Sequence, residues 1–389
     1  MPQKVIALCF EAAGEPASMN LSFEEFEIPD PGPNEVQIAF LFSPVTPTDI
    51  LAITGKYSLG PLRKLPRALM KDTYVAGYDG VARVTKVGQF ASVPKHVWEK
   101  YFRKDDIVIP LRMGIGTWCS HANIDEKWLL NLSCDPFSSK STPRSFSPIH
   151  IETFSHLRSS IFTGLFLLRM SFLDMKHNHW IVMSEPVDPI SWAIISLAKV
   201  RRANVLVLLA DQPEMKGPAR LDPRKRILKD HGVDCVLLES EFERYQEEIE
   251  NMRIVALFEN GSAPSVSLFI PFIRVGGSLV NYSLLCGRNK ADPFNVVYYQ
   301  REEEIHRAPT LARPMEYTYN SHMDFTEHHF STLDYEMDRK LRNLVVRSRI
   351  KTPTVKRIPW SARDQVLEAV SAVETQDTWR DMYVFDFEA

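Results

Sequence analysis

The spacing of hydrophobic and polar positions changes once along the chain, near residue 154. Before about residue 130, short apolar runs alternate with turn formers, as in KVIALCF, EVQIAFLF, GVARVTKVG and DDIVIPL. Runs of this length between Gly, Pro and Asp indicate β-strands. This part of the chain is therefore predicted to be a small, twisted, mainly β domain. The Ser- and Pro-rich stretch that follows, SCDPFSSKSTPRSFSP, is predicted to be an exposed loop.

From Phe154 onward, apolar residues first recur at helical spacing, and strand-like and helix-like segments then alternate. The predicted strands are HWIVM, NVLVLLA, DCVLLES, IVALFEN and SLVNYS. Helices are predicted from about Ser191 to Arg201 and over DPRKRILKDHG, EFERYQEEIENM and APSVSLFIPFIRV, two of them closed by glycine. Such alternation predicts a parallel sheet wound by right-handed crossovers, a Rossmann-type domain near residues 165–305. The C-terminal segment, with its last strand DMYVFDF, is predicted to return to the first domain.

Composition narrows the class of protein without naming its function. The 389 residues are 44% hydrophobic and 24% charged, which is typical of a soluble protein of two domains. A net charge of -3 excludes a polycation that coats nucleic acid or membrane, although local basic patches remain open. The longest apolar runs, such as residues 205–210 and 266–273, are far shorter than the roughly 20 residues of a spanning helix.

The cysteines and the N-terminal residues bear on the cellular compartment of the protein. No C-x-x-C pair occurs, which favours a reducing compartment and argues against structural zinc. The N-terminal MPQKVIALCF passes almost directly into a strand-like run, so little room is expected for a targeting peptide. The five cysteines are widely scattered: Cys9, Cys119, Cys134, Cys235 and Cys286.

Five strings in the same order resemble the medium-chain dehydrogenase/reductase superfamily, and most of all its mitochondrial trans-2-enoyl thioester reductase branch. They are SPVTPTDI, GKYSLGPL, VAGYDGVARVTKVG, DDIVIPLRMGIGTW and TGLFLLRM. The resemblance covers most of the chain, except inserts near residues 63–73, 90–101 and 134–153. It implies an α/β protein with a GroES-like twisted β domain over 1–164 and 306–389. It also implies a Rossmann-type doubly wound parallel sheet over 165–305.

The resemblance also assigns residues in the first domain. Thr46 and Tyr78 look like the positions at which zinc-dependent members carry Cys and His, and neither can replace such a ligand, so no metal is expected. Tyr57 matches the tyrosine that, in the reductase branch, donates a hydrogen bond or proton as hydride from NADPH reaches an enoyl thioester. A tyrosine packed in a loop is the alternative for Tyr57. Trp118 matches a residue near the substrate channel, or is a core tryptophan.

The turn after the first strand of the second domain, SEPVDPIS, is unsuited to a dinucleotide. In the reductases this turn reads roughly Asn-Ser-Gly-Val-Gly, whose glycines let a pyrophosphate approach the helix N-terminus. Here Ser184 begins the turn, and Pro189 and Ser191 stand at the two glycine positions, with Asp188 just before them. Pro189 removes a donor, and Glu185 and Asp188 each add a repulsion of ~2 to 4 kcal/mol. Binding would weaken by about a thousandfold. The same residues make a well-formed helix start, with Asp188 as N-cap.

Of the other positions in the predicted cofactor site, some match the family pattern and some do not. NADPH-using members carry an Arg-rich turn after the second strand, where this chain has LLADQPEMKG. Asp211 could instead accept a ribose hydroxyl, as NAD-binding members do, and Gly276 and Gly277 match positions near the close of the sheet. A basic segment follows, which is either a solvated helix face, a phosphate contact or an RNA contact. Its members are Lys216, Arg220, Arg224, Lys225, Arg226 and Lys229.

Two further kinds of chemistry find little support. The string HMDFTEHHF invites a metal hypothesis, but its spacing matches no known ligand pattern and a polar surface loop is the better interpretation. Hydrolase chemistry has no G-x-S-x-G turn to support it. The possible metal ligands in HMDFTEHHF are His322, Asp324, Glu327, His328 and His329.

Two functions follow. In the first, the reductase fold has lost dinucleotide binding, has no cofactor, and serves as a structural or interaction subunit of a larger assembly. Its partners would be proteins, and RNA through the basic patches, with a mitochondrial ribosome as one plausible host. In the second, the chain is an active trans-2-enoyl-CoA/ACP or quinone-type reductase that uses NADPH or NADH. The resemblance implies a mitochondrial location, with the cytoplasm as the alternative. The altered turn favours the first function.

Overall fold

The chain divides into two compact units in the computed structural model. The first comprises residues 1–159, 321–348 and 354–389, and the second comprises 160–320 and 349–353. The boundaries predicted from the sequence, 165 and 305, lie inside the second unit. The structure describes residues 2–56, 73–91, 101–111, 114–133, 146–171, 177–211, 222–262, 264–283, 295–300, 315–318, 343–347, 350–351, 354–375 and 381–389.

The described elements are numbered along the chain. The strands are β1 Gln3–Phe10, β2 Ser22–Ile28, β3 Glu35–Pro44, β4 Tyr74–Val75, β5 Val81–Val87, β6 Ile107–Pro110, β7 His121–Asp125, β8 Leu129–Asn131, β9 His179–Ser184, β10 Asn204–Leu209, β11 Cys235–Leu238, β12 Arg253–Glu259, β13 Ile273–Asn281, β14 Asn295–Gln300, β15 Met315–Thr318, β16 Thr354–Pro359 and β17 Asp381–Asp386. The helices are α1 Pro47–Ile53, α2 Pro148–Phe154, α3 Thr163–Ser171, α4 Pro189–Val200, α5 Pro223–Asp230, α6 Gln246–Glu250 and α7 Arg363–Thr375, with a π-helix over Leu157–Phe162.

The first unit contains two sheets made mostly of antiparallel pairs. One has the order β2-β1-β4, and the other has the order β16-β17-β3-β5-β6-β8, with β7 also pairing with β3. The last strand, β17, lies antiparallel to β3, with Phe385 opposite Ser43. The C-terminal segment therefore completes the first unit. Trp118 and Phe385 meet edge to face in its core, with ring centroids 5.1 Å apart.

The second unit is built on a seven-stranded sheet of order β11-β10-β9-β12-β13-β14-β15. The first five strands run parallel, and β14 and β15 add an antiparallel edge. Strands β10 and β12 are apolar and buried almost throughout, as expected of a parallel sheet covered on both faces. The predicted α/β class with a Rossmann-type parallel sheet is confirmed.

Two predicted helices of the second unit differ in the structure. Of the predicted helix APSVSLFIPFIRV, the described residues 264–275 form only a 3-10 helix, Val266–Phe272, and β13 begins directly after it. Pro271 lies inside this short helix and cannot donate a backbone hydrogen bond, so the segment is poorly suited to an α-helix. The predicted helix EFERYQEEIENM is α-helical only over α6, after two short 3-10 turns.

The described helices include none that is both long enough and apolar enough to cross a membrane.

Candidate functional site

The candidate site is the crevice at the carboxyl ends of β9, β10, β12 and β13. The strand order reverses between β9 and β12, because β10 and β11 lie to one side of β9 and the later strands to the other. Open α/β sheets bind ligands outside the carboxyl ends of the strands at such a reversal. The residues that follow β9 and β12 therefore decide what the crevice can hold.

The turn after β9 is organised around one carboxylate. Asp188 is the N-cap of α4, and its Oδ1 accepts a hydrogen bond from the backbone N–H of Ser191 at 2.8 Å. Its Oδ2 accepts a second bond from the Ser191 hydroxyl at 2.5 Å. Pro189 is the first residue of the helix and has no N–H to offer. The predicted N-cap is confirmed, and an internal carboxylate takes the place of an external anion at this helix N-terminus.

Asn260, which follows β12, bridges the reversal point. Its side-chain nitrogen lies 2.8 Å from the carbonyl oxygen of Glu185, 3.0 Å from Asp188 Oδ2 and 3.1 Å from Ser191 Oγ. The Ser184 hydroxyl donates to the other end of the same amide, to Oδ1, at 2.8 Å. Asn260 is fully buried. The side chains that follow two neighbouring strands are therefore bonded directly to each other.

A third strand contributes to the same cluster. Tyr282 follows β13, is fully buried, and places its hydroxyl 2.8 Å from Ser191 Oγ. Ser262 donates a further bond to the Asn260 Oδ1 at 2.6 Å. We call Ser184, Asp188, Ser191, Asn260, Ser262 and Tyr282 the crevice cluster.

A buried ion-pair group lies at the end of β10, beside the turn after β9. The guanidinium of Arg224 is 3% exposed and lies between two carboxylates. Its Nη1 donates to Glu185 at 3.0 and 3.1 Å, and its Nε and Nη2 donate to Asp222 at 2.9 and 2.6 Å. Nη2 also donates to the carbonyl of Ala210 at 2.7 Å. Burial disfavours the charged forms of Arg224 and Asp222. The hydrogen bonds and opposite charges of Asp222 and Glu185 nevertheless raise the pKa of Arg224, and those of Arg224 lower the pKa of Asp222.

The predicted ribose acceptor has an internal partner. Asp211 is exposed, and its carboxylate accepts bonds from the Ser240 backbone N–H at 2.9 Å and from the Ser240 hydroxyl at 2.7 Å. Both of its oxygens are thus engaged with the turn after β11.

These contacts test whether a dinucleotide fits the crevice. A pyrophosphate needs N–H groups that are free at the helix N-terminus and surroundings without negative charge. Here the Ser191 N–H is already bonded to the buried carboxylate of Asp188, and the nearest basic group, Arg224, is already paired with Glu185 and Asp222. The residues present do not fit a dinucleotide bound in the position typical of Rossmann-type domains.

The two glycines predicted near the cofactor lie within β13. Gly276 and Gly277 are in the first half of β13, towards its amino end, whereas the crevice is at the carboxyl ends. A Cβ on Gly277 would lie 2.8 Å from the Val255 carbonyl oxygen and 2.5 Å from a methyl of Ile273, so glycine is needed there for packing. Gly276 has a φ of +77° and open space around it. Gly277 thus has a packing role, and the assignment of both glycines to the cofactor site stays a prediction.

Two of the site positions in the first unit have structural roles. Thr46 is the N-cap of α1, and its hydroxyl donates to Asp49 Oδ2 at 2.6 Å. Asp49 Oδ1 accepts the backbone N–H of Tyr78 at 2.9 Å. Burial raises the pKa of the Asp49 carboxyl to about 7, and also raises that of the neighbouring Asp79 to about 6. The part of the chain that the structure describes holds no group of three or more His, Cys, Asp or Glu suited to a metal.

Trp118 is fully buried and its indole N–H donates to the carbonyl of Pro44 at 3.2 Å, as in the core interpretation. Tyr57 lies outside the described residues, as does the string HMDFTEHHF with its histidines. Of the basic segment, Lys216 and Arg220 lie outside them as well. Arg224 is described, and it is buried between carboxylates rather than on a solvated helix face.

Sequence reasoning missed Asn260 and Tyr282. The signal was present, because each residue directly follows an apolar strand whose carboxyl end borders the crevice. Both lie at the carboxyl ends of the predicted strands IVALFEN and SLVNYS, so a list of polar residues at those ends would have included them.

The comparisons with known proteins agree with the fold. No family model matches the chain. The mitochondrial enoyl-[acyl-carrier-protein] reductase of Mus musculus is 23% identical over 378 residues, 95% of this chain and 86% of the mouse protein. The human protein of the same name is 26% identical over 286 residues, 72% of this chain and 66% of the human one.

Solved structures show the same architecture. The mitochondrial 2-enoyl thioester reductase heterodimer of Candida tropicalis superposes with a TM-score of 0.71 at 16% identity, over 99% of this chain and all of that one. A mutant of the Etr1p subunit, in complex with NADP and crotonyl-CoA, gives a TM-score of 0.72 at 16% identity over both whole chains.

Proposed function

We propose a function for this enoyl thioester reductase-like member of the medium-chain dehydrogenase/reductase superfamily from one question. The question is whether its Rossmann-type crevice can bind a dinucleotide cofactor. The function that the geometry favours is dinucleotide-free. In it the protein keeps the reductase fold and acts by binding, as a structural or interaction subunit of a larger assembly.

The observation that carries this proposal is the bridge between Asn260 and Asp188. The bridge joins the ends of β9 and β12 by a bond of 3.0 Å inside the crevice cluster. A dinucleotide would have to break this bond, displace the Asp188 cap and accept a buried carboxylate beside its phosphates. Repulsion by this carboxylate plus the lost hydrogen bonds weakens binding by about a thousandfold.

The partner and location belong to the same proposal. The relatives' names place them in mitochondria, so a mitochondrial assembly such as a ribosome is a plausible host. Its proteins, and RNA through the basic patches, would be the partners. The inserts near residues 63–73, 90–101 and 134–153 are rich in charge or proline, and surface inserts are where new contacts arise.

A second candidate is an active NAD(P)H-dependent reductase of enoyl-CoA, enoyl-ACP or quinone-type substrates. The names of the relatives support it more directly than they support a structural role, and a C. tropicalis neighbour was solved with NADP and crotonyl-CoA. Tyr57 would be its proton donor. This candidate requires the crevice cluster and the Arg224 group to rearrange before NADPH or NADH can enter.

A titration separates the candidates. The purified full chain would be titrated with NADPH and with NADH by calorimetry and by nicotinamide fluorescence, with a known enoyl thioester reductase as positive control. The dinucleotide-free proposal expects no heat and no change of fluorescence up to millimolar cofactor. Micromolar binding of either cofactor would overturn it.

An activity assay with crotonyl-CoA completes this test. Turnover that is lost in Tyr57→Phe, with cofactor affinity unchanged, would establish the reductase. Absence of both binding and turnover would leave the dinucleotide-free function standing.

A further inference from the structure

Asn260 is the only asparagine in the sequence that a glycine follows. In an Asn-Gly pair the backbone nitrogen of the glycine can attack the side-chain carbonyl carbon of the asparagine, because glycine has no Cβ to hinder the approach. The ring closes as a succinimide and ammonia leaves. Water then opens the ring to aspartate or isoaspartate, so that a carboxylate replaces the amide and water is the one co-reactant.

The folded chain holds the side chain of Asn260 at both ends. The residue is fully buried, and its amide nitrogen donates to the carbonyl of Glu185 and to the carboxylate of Asp188. Its Oδ1 accepts hydrogen bonds from the Ser262 N–H at 2.9 Å and from the Ser184 and Ser262 hydroxyls. Rotation of the amide towards the next residue would break several of these bonds at once, in a place where an unsatisfied polar group is unfavourable.

The attacking nitrogen is also engaged. The Gly261 N–H donates to Glu259 Oε1 at 3.0 Å. Glu259 is itself buried and fixed, because its Oε2 accepts the Val266 N–H at 3.0 Å and the Ser265 hydroxyl at 2.8 Å. The Gly261 nitrogen must lose its proton to act as a nucleophile, and a neighbouring carboxylate disfavours the negative charge that results. Both reacting groups are therefore held back as long as these contacts persist.

We propose that Asn260 is a covalent modification site, at which deamidation is blocked by the folded second unit and proceeds once the crevice cluster opens. The conversion is one-way, because ammonia is lost. The new carboxylate would face Asp188, from which the amide nitrogen now lies 3.0 Å away. Two carboxylates at that distance repel each other, so the modified chain favours the open cluster. The inference goes beyond the dinucleotide-free function, because it concerns the covalent chemistry of the cluster and requires no ligand.

The first test compares the rate of deamidation in the folded and the unfolded full-length chain. Samples would be kept at pH 8 in buffer and in concentrated guanidinium chloride, and the mass of the peptide that contains residue 260 would be followed over time. The folded chain should convert at least about tenfold more slowly, because buried elements open in only a small fraction of molecules. Equal rates, or a faster reaction in the folded chain, would overturn the proposal.

Two variants test the protecting contacts, both in buffer. Asp188→Ser removes a carboxylate bonded to the amide of Asn260 and should raise the folded-state rate by at least about threefold. Glu241→Ala is the control, because it removes a carboxylate that is paired with Lys225 instead, and it should leave the rate as in the wild type. If Asp188→Ser does not fold, Ser262→Ala takes its place, since it removes a hydroxyl bonded to the same amide at 2.6 Å. An unchanged rate in the folded variant would contradict protection by the cluster.

The effect of the modification is tested with Asn260→Asp, which carries one of the two products. At pH 8 its thermal midpoint should lie about 5 °C or more below that of the wild type, because Asp188 repels the new charge. Asn251→Asp is the matched control at the surface, and it should lower the midpoint by no more than about 2 °C. Equal midpoints in the two variants would overturn the inference that conversion keeps the cluster open.

Discussion

The side chain of Asn260 donates to the carboxylate of Asp188 across the reversal point of the parallel sheet, over 3.0 Å. One residue follows β12 and the other follows β9, so a single bond ties together the two strands between which a Rossmann-type ligand would lie. Both side chains are buried.

Replacing Asn260 by alanine should destabilise the second unit. The change leaves the Glu185 carbonyl and the Asp188 carboxylate without this donor in a buried place, where an unsatisfied polar group costs about 1–3 kcal/mol. Urea unfolding followed by far-UV circular dichroism would measure the loss. Asn251→Ala is the matched control, because its amide bonds to the Glu247 carbonyl at the surface. Equal losses in the two variants would contradict a buried bridge.

Arg224→Met should be among the most damaging changes in the second unit. It leaves the carboxylates of Glu185 and Asp222 buried without their counter-ion, and breaking a buried pair in this way costs about 3–5 kcal/mol. Lys225→Met provides the comparison one residue away. Its ion pair with Glu241 is partly exposed and is worth about 1 kcal/mol or less. Free energies of unfolding from denaturant titration would show whether the two variants differ.

The sequence predicted the architecture well and the crevice only in part. Apolar runs such as NVLVLLA identify a buried parallel strand by themselves, because periodicity and burial are local properties of the chain. The cap by Asp188 was also local, since it depends on spacing to Ser191. These features could be read from single segments.

The interior partners could not be predicted in the same way. Asn260 reaches Asp188 over 72 positions, and Arg224 reaches Glu185 over 39. Spacing along the chain carries no information about such pairs, so Arg224 looked like one more cation in a basic segment. The packing role of Gly277 was missed for the same reason, because it depends on a close approach to Val255 in the neighbouring strand.

Gly277→Ala should destabilise the protein more than Gly276→Ala. The new methyl at 277 would meet the Val255 carbonyl oxygen at 2.8 Å, so the backbones of β12 and β13 would have to separate. We expect a cost of about 1–3 kcal/mol, as for overpacking elsewhere. At 276 the only penalty is the left-handed backbone, about 1–2 kcal/mol, because the methyl meets nothing. Thermal unfolding of the two variants would rank them, and a larger loss at 276 would contradict the packing role.

Stability should fall as pH rises towards neutrality because of Asp49. Burial raises the pKa of this carboxyl from 3.8 to about 7, so the folded state binds a proton that the unfolded state releases between these values. The contribution is fully present below pH 3.8 and is lost as pH rises through about 7. Between pH 5 and pH 8 the loss is on the order of 2–3 kcal/mol.

Asp49→Asn isolates this contribution, since its side chain cannot titrate. Unfolding free energies of wild type and variant, measured from pH 5 to pH 8, should differ by an amount that shifts in favour of the variant as pH rises. A difference that is constant across this range would show that Asp49 does not change its protonation in the folded state.

Putting glycines back into the phosphate turn should fail to restore dinucleotide binding. In Pro189→Gly/Ser191→Gly the backbone regains one N–H and loses the Ser191 hydroxyl, yet the carboxylates of Asp188 and Glu185 remain beside the helix N-terminus. Repulsion of a phosphate by Asp188 is worth ~2 to 4 kcal/mol at an effective dielectric of ~20, so this variant, like the wild type, should show no binding up to millimolar NADPH. Adding Asp188→Ser keeps a capping hydroxyl while removing one of the charges, and should improve binding more than the two glycines do. Calorimetric titration of the three proteins with NADPH would decide. Recovery of micromolar affinity by the glycines alone would show that backbone access, and not the internal carboxylates, excludes the cofactor.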